Sequence, residues 1–156
     1  MLRLSKLTDY AVVVLIRLAD GDEGVQTSPG IALATGVPEP TVAKVLKALT
    51  ASSLVVSQRG ARGGYRLLRA VGDITIADVI TAIDGPIALT ACVDGAPGDC
   101  CMQSRCAMKG RWDLVNDAIY QSLSRITLAD MRNVAVSPAF RLDTSSPTHS
   151  LAAAAE

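Results

Sequence analysis

Four cysteines, Cys92, Cys100, Cys101 and Cys106, are the only thiols in the 156-residue chain, and all fall in one stretch, CVDGAPGDCCMQSRC. They are spaced by eight, one and five residues, which is not the CxxC spacing of a zinc knuckle. Residues 94–99 are rich in Gly, Pro and Asp and read as loop. Soft thiolates on a loop suit iron–sulfur ligation, because sulfide-bridged iron prefers thiolate and its potential is then set by charge and exposure. Adjacent side chains of an extended loop point to opposite sides, so Cys100 and Cys101 do not serve one cluster symmetrically and one of them is a spectator. Zinc on four cysteines ranks second, since it would strain the vicinal pair. A metal-free redox switch ranks third, with Cys100 or Cys101 oxidising to a disulfide with Cys92 or Cys106. Nucleophilic catalysis ranks last. It wants a histidine base, and the only histidine, His149, lies in a tail that reads as unfolded. The chain is not expected to be an enzyme.

A second group of residues points to a polyanion. Between residues 40 and 72 there is no Asp or Glu, yet Lys44, Lys47, Arg59, Arg62, Arg66 and Arg69 all lie there. Zero net charge conceals this polarity: residues 1–70 hold nine basic and five acidic side chains, and residues 71–156 hold six and ten. One-signed stretches of this kind attract nucleic acid if the local structure gathers them on one face.

The elements that gather them can be read from pattern. The sequence TDYAVVVLIRLA over 8–19 is a buried helix opened by a polar cap. Ser28 and Pro29 introduce a short helix over 30–35, stopped by Gly36. After Pro38, Glu39 and Pro40, a helix places Val42, Val45, Leu46 and Leu49 on one face and Thr41, Lys44, Lys47 and Ala48 on the other. Strands over 54–58 and 65–68 then flank the glycine-rich tip RGARGG. The fold class is therefore mainly α with a small β-hairpin wing: a winged helix-turn-helix. In that geometry Thr41 and Lys44 are placed to read bases, Lys47 and Arg62 to meet phosphate, and Arg59 to enter a narrow minor groove.

Downstream, Thr75 to Asp78 form a capping box opening a helix over 76–83 that ends at Asp84-Gly85-Pro86. Met108, Trp112, Val115, Ile119, Leu123 and Ile126 form a helical apolar stripe, expected to pair with a second copy of the chain in a symmetric dimer. The expected domains are a winged helix over 1–86, a cysteine loop over 87–107, a long C-terminal dimerisation helix over 108–136, within which the capping box Thr127 to Asp130 starts a last short turn, and a disordered tail over 137–156. Apolar residues make up 49% and aromatics 3%, so the core is aliphatic and whole-chain disorder is excluded. No apolar run approaches the ~20 residues of a spanning helix, so a cytoplasmic protein without a membrane or a small-molecule substrate is expected.

With MLRLSKLTDYAV, RGARGGYRL, ITIADVITAIDGP, the spaced cysteines and ITLADM on the page, the chain resembles the Rrf2 family of winged-helix transcription regulators, the group of IscR, NsrR and RirA, over roughly residues 1–133. The resemblance implies a homodimer on palindromic operator DNA with one cluster per subunit, held by Cys92, Cys100 and Cys106. The 2Fe–2S form is favoured over 4Fe–4S. The cysteine spacing resembles that of RirA-like members and of the regulators of SUF cluster-assembly genes, which implies a repressor of such genes; nitric oxide or free iron as the signal is the alternative. Where IscR-like members carry a histidine after the last cysteine, this chain has Lys109. The resemblance to NsrR-like members implies Asp9, reaching across the dimer, as fourth ligand ahead of Cys101; capping the first helix is its other reading.

Overall fold

The computed structural model describes residues 3–21, 24–60, 63–93, 105–108 and 110–132. Helix α1 (Lys6–Asp20) begins two residues earlier than its apolar pattern suggests, because Ser5 and not Thr8 is the cap: the Thr8 amide donates to Ser5 Oγ at 3.1 Å. Helix α2 (Ser28–Thr35) is likewise capped one residue early, by Thr27, with Pro29 in its first turn. It stops where expected, at Gly36, whose φ of 72° lies in the left-handed region open to glycine. Helix α3 (Glu39–Ala51) buries Val42, Val45, Leu46 and Leu49, the face its periodicity assigns to the core.

Strands β1 (Val55–Gln58) and β2 (Gly64–Leu67) pair antiparallel, with Val55 opposite Leu67 and Gln58 opposite Gly64. Leu54, expected to open the first strand, precedes it; its amide donates to Leu49 O and its side chain is fully buried. The base of the hairpin is tied to the first half of the chain by two bonds between Gln26 and Tyr65, at 2.9 and 2.8 Å. This close approach requires a glycine at 64, since a Cβ there would lie 2.5 Å from Gln26 O.

A 3-10 turn (Val71–Asp73) leads into α4 (Ile76–Asp84), which has both bonds of the Thr75/Asp78 capping box. In the C-terminal region the short turn expected from the Thr127 to Asp130 box is present, but the apolar stripe is not on the one long helix expected to carry it. Helix α5 spans Arg111–Ser124, entered through Gly110 in a left-handed conformation, and α6 (Leu128–Arg132) follows as a separate element. Met108 precedes α5 and Ile126 follows it, so the six-residue stripe is not carried by one helix. The break has a cause: Thr127 caps α6 through Asp130, and a helix cap needs extended backbone there rather than continuing helix. The two threonine caps lie side by side, bridged antiparallel between Thr75 and Thr127, with Ile76 N donating to Ile126 O and Leu128 N to Ile74 O.

One core joins these elements. Leu15, Ile31, Leu46, Leu49, Leu54, Ile74 and Leu128 are fully buried within it, and Leu123 and Ile126 pack against it. Helix α6 belongs to this core with α1 and the 3-10 turn. The expected tail over 137–156 lies outside the described residues.

Candidate functional site

The buried face of α3 fixes what its other face presents. Thr41 is half-buried at the start of the helix, and Lys44 and Lys47 are exposed, pointing away from the core as their spacing requires. Arg59 is exposed at the wing tip, where Gly63 N donates to Gly60 O at 2.9 Å and closes the turn. Arg62 lies outside the described residues. Of the other basic residues in the acid-free stretch, Arg66 is exposed on β2, whereas Arg69 is committed elsewhere, bonded to Asp78 of α4 at 3.1 Å. The structure thus gathers Thr41, Lys44 and Lys47 on one helix face and Arg59 at a separate projecting tip. A helix with an exposed basic face beside a projecting hairpin is the arrangement that places a helix in a major groove and a wing against the backbone.

Cysteine chemistry sits at the far end of the chain. Cys92 and Cys106 are half-buried free thiols; Cys100, Cys101 and Lys109 lie outside the described residues. Thr90 Oγ1 lies 3.1 Å from Cys92 Sγ. Free, partly shielded thiols at both ends of the segment fit the soft donor set that iron–sulfur ligation needs. Among the described residues no three His, Cys, Asp or Glu side chains come together as a metal-holding group, so Asp9 does not join Cys92 and Cys106 within one chain.

Asp9 itself is exposed in the first turn of α1. Since Ser5 supplies the cap, the Asp9 side chain is not needed for capping. It lines an open groove of about 250 Å³ with Arg3, Lys6, Val12, Ile76 and Met131.

Two polar links escape a reading of the sequence. The buried Thr8 hydroxyl donates to Asp84 Oδ2 at 2.6 Å, and its oxygen lies 3.0 Å from Ser5 Oγ, joining the start of α1 to the end of α4. Thr8 reads as a cap from sequence, and its distant partner leaves no local signal. On α5, Asn116 is buried among otherwise exposed or half-buried neighbours and bonds the backbone of residues 87 and 89. Its one signal is a polar residue one turn from Trp112 and Ile119 of the apolar stripe. That stripe divides in space: Leu123 and Ile126 turn inward, while Met108, Trp112 and Val115 remain 45%, 39% and 42% exposed.

Among the described residues no helix is long and apolar enough to cross a membrane. Comparison with known proteins agrees with the architecture. A family profile, Rrf2, described as an iron-dependent transcriptional regulator, matches residues 4–133. The protein aau3 of Rhizobium meliloti is 33% identical over 130 residues, covering 83% of this chain and 84% of its own. Among solved structures, CymR, the global cysteine regulator of B. subtilis, superposes with a TM-score of 0.64 at 29% identity, covering 85% of this chain and 97% of its own. IscR of T. potens gives a TM-score of 0.59 at 31% identity, covering 83% and 85%.

Proposed function

The chain belongs to the Rrf2 family of DNA-binding transcription regulators, and from that premise we propose that it is a cytoplasmic iron–sulfur-sensing repressor of SUF-type cluster-assembly genes. It reads a palindromic operator as a homodimer. The observation that carries the sensing role is the pair of free, half-buried thiols, Cys92 and Cys106, within the segment between α4 and α5. Cys92, Cys100 and Cys106 are the proposed thiolate ligands, with Asp9 of the partner subunit as the fourth and Cys101 as the spectator. When bound, a 2Fe–2S cluster supplies iron–thiolate bonds that iron shortage or oxidants break.

The chain's own residues do the rest. Thr41 and Lys44 present hydrogen-bonding groups to base edges, Lys47 and Arg62 neutralise phosphates, and Arg59 enters a narrow minor groove. Trp112 and Val115, left exposed on α5, and Met108, exposed just before it, supply the apolar surface that a second copy covers. Thr8 ties Asp84, at the end of α4, to the turn of α1 that carries Asp9. A change in the cysteine segment thereby has a short covalent and hydrogen-bonded route to the reading domain. A typical coupling of about 1 to 3 kcal/mol would change operator affinity about 5- to 150-fold, enough for a switch.

The test is anaerobic reconstitution with ferrous iron and sulfide, followed by operator titration of loaded and unloaded protein by fluorescence anisotropy. Visible absorption that Cys92→Ala abolishes, together with tighter operator binding by the loaded dimer, is the expected result. Equal affinity of the two forms overturns the sensing mechanism, and zinc uptake without colour overturns the cofactor.

A further inference from the structure

The segment between α4 and α5 is tied at both ends to the same helix, and at one end, among the described residues, Asn116 supplies the side-chain hydrogen bonds of that tie. On the Cys106 side the hold is covalent: the chain turns through Gly110 at φ 72°, Arg111 N donates to Met108 O at 3.0 Å, and α5 begins. On the Cys92 side nothing covalent joins the chain to α5. There Asn116 bonds residues 87 and 89 together: its Oδ1 accepts from Leu89 N at 3.1 Å and its Nδ2 donates to Ile87 O at 3.0 Å. The amide thus bonds a carbonyl and the amide two residues on from it. Asn116 is 7% exposed and is the one buried residue of α5, a helix whose apolar side chains mostly face outward. Burying an amide is costly unless both its polar atoms are satisfied, and here both are satisfied by the limb that leads to Cys92.

We propose that Asn116 is a positioning residue for the thiolate set: it fastens the Cys92 limb to the helix that follows Cys106, so that both cysteines are referenced to one rigid element. The Thr90 hydroxyl, 3.1 Å from Cys92 Sγ, and Val93, whose amide donates to Thr90 O, extend the ordered turn from that anchor to the thiol. Preorganisation of this kind raises metal affinity because the limb's freedom is lost on folding rather than on binding. The inference rests on the cluster-holding role proposed above.

The test has two arms on the full chain, comparing wild type with Asn116→Ala and Asn116→Asp. Ser122→Ala serves as a control on the exposed face of the same helix. In the apoprotein, amide hydrogen exchange over residues 87–93 is expected to accelerate about 10-fold or more in Asn116→Ala, while the amides of α1 and α3 stay protected. Asn116→Asp keeps an acceptor for the Leu89 amide but faces Ile87 O with no donor, so exchange rises less at Leu89. In protein reconstituted with ferrous iron and sulfide, visible absorbance lost to a chelator is expected to decay about 10- to 100-fold faster in Asn116→Ala, with far-ultraviolet dichroism unchanged. If Asn116→Ala fails to fold, the aspartate variant carries both arms. Unchanged exchange over 87–93, or unchanged cluster release, overturns the proposal. A wild-type chain that takes up no cluster overturns the function proposed above, and the exchange arm still decides whether Asn116 holds the limb.

Discussion

Replacing Lys47 with alanine should flatten the salt dependence of DNA binding by an amount that reports both the contact and the number of copies bound. Lys47 is exposed on α3, on the face opposite the buried Val42, Val45, Leu46 and Leu49, and among the described residues the salt bridges do not involve it. Each neutralised phosphate contributes a slope of about −0.9 to log K against log salt. A dimer presents Lys47 twice, so the variant's slope should be shallower by about 1.8. Across a fourfold rise in salt this amounts to about 12-fold less loss of affinity, against about 3.5-fold if one copy binds. The assay is anisotropy on a labelled duplex selected from a random library, titrated at several salt concentrations. Lys44→Ala supplies the contrast: a base reader should lose discrimination between duplexes, by about 1 to 3 kcal/mol at one position. An unchanged slope for Lys47→Ala would refute the placement of α3 against the backbone. A difference near 0.9 would refute the two-copy reading.

Three further outcomes are expected. Thr8→Val and Asp84→Ala, combined in a double-mutant cycle by thermal or urea unfolding, should show about 1 to 2 kcal/mol of coupling, because the 2.6 Å bond involves a charged acceptor; additivity within about 0.3 kcal/mol would deny the link. Gly64→Ala should cost about 1 to 3 kcal/mol, since its Cβ meets the Gln26 backbone, whereas Gly72→Ala, with open space around it, should be nearly silent in the same melt. Bonds from the Thr127 backbone and side chain hold the Asp130 carboxyl below its ordinary 3.8, so the stability it lends is present above that value and lost as pH falls through the folded-state one; Asp130→Asn should flatten the stability profile in that acidic window.

The reading domain was legible in the sequence because its signals are local. Four apolar residues at helical spacing located the core face of α3, and the opposite face, with Thr41, Lys44 and Lys47, followed. Gly36, the Thr75/Asp78 box and the hairpin were legible for the same reason: caps and turns are decided within a few residues. Helix starts slipped by a residue or two where a better acceptor lay upstream, Ser5 for Thr8 and Thr27 for Ser28. The Thr127 box was legible as the start of a last short turn, but the stripe from Met108 to Ile126 was assigned to one helix because it keeps helical spacing past both ends of α5. Asn116 and the Thr8–Asp84 bond were illegible because their partners lie far along the chain, 27 and 29 residues for Asn116 and 76 for Thr8. Arg69 looked like part of the basic surface until Asp78 was found beside it.

The bridge between Thr75 and Thr127 also bears on how this architecture tolerates change. The chain from α4 through α5 departs from and returns to one rung of paired backbone, so the cysteine segment between those two helices lies within an excursion whose ends already meet. The entropy of closing a loop grows only with the logarithm of its length, about 0.6 kcal/mol for each doubling. Residues added to or removed from the cysteine segment therefore weigh little on the helices that face DNA. A lineage can respace its thiols while leaving the core packing of the reading helices untouched.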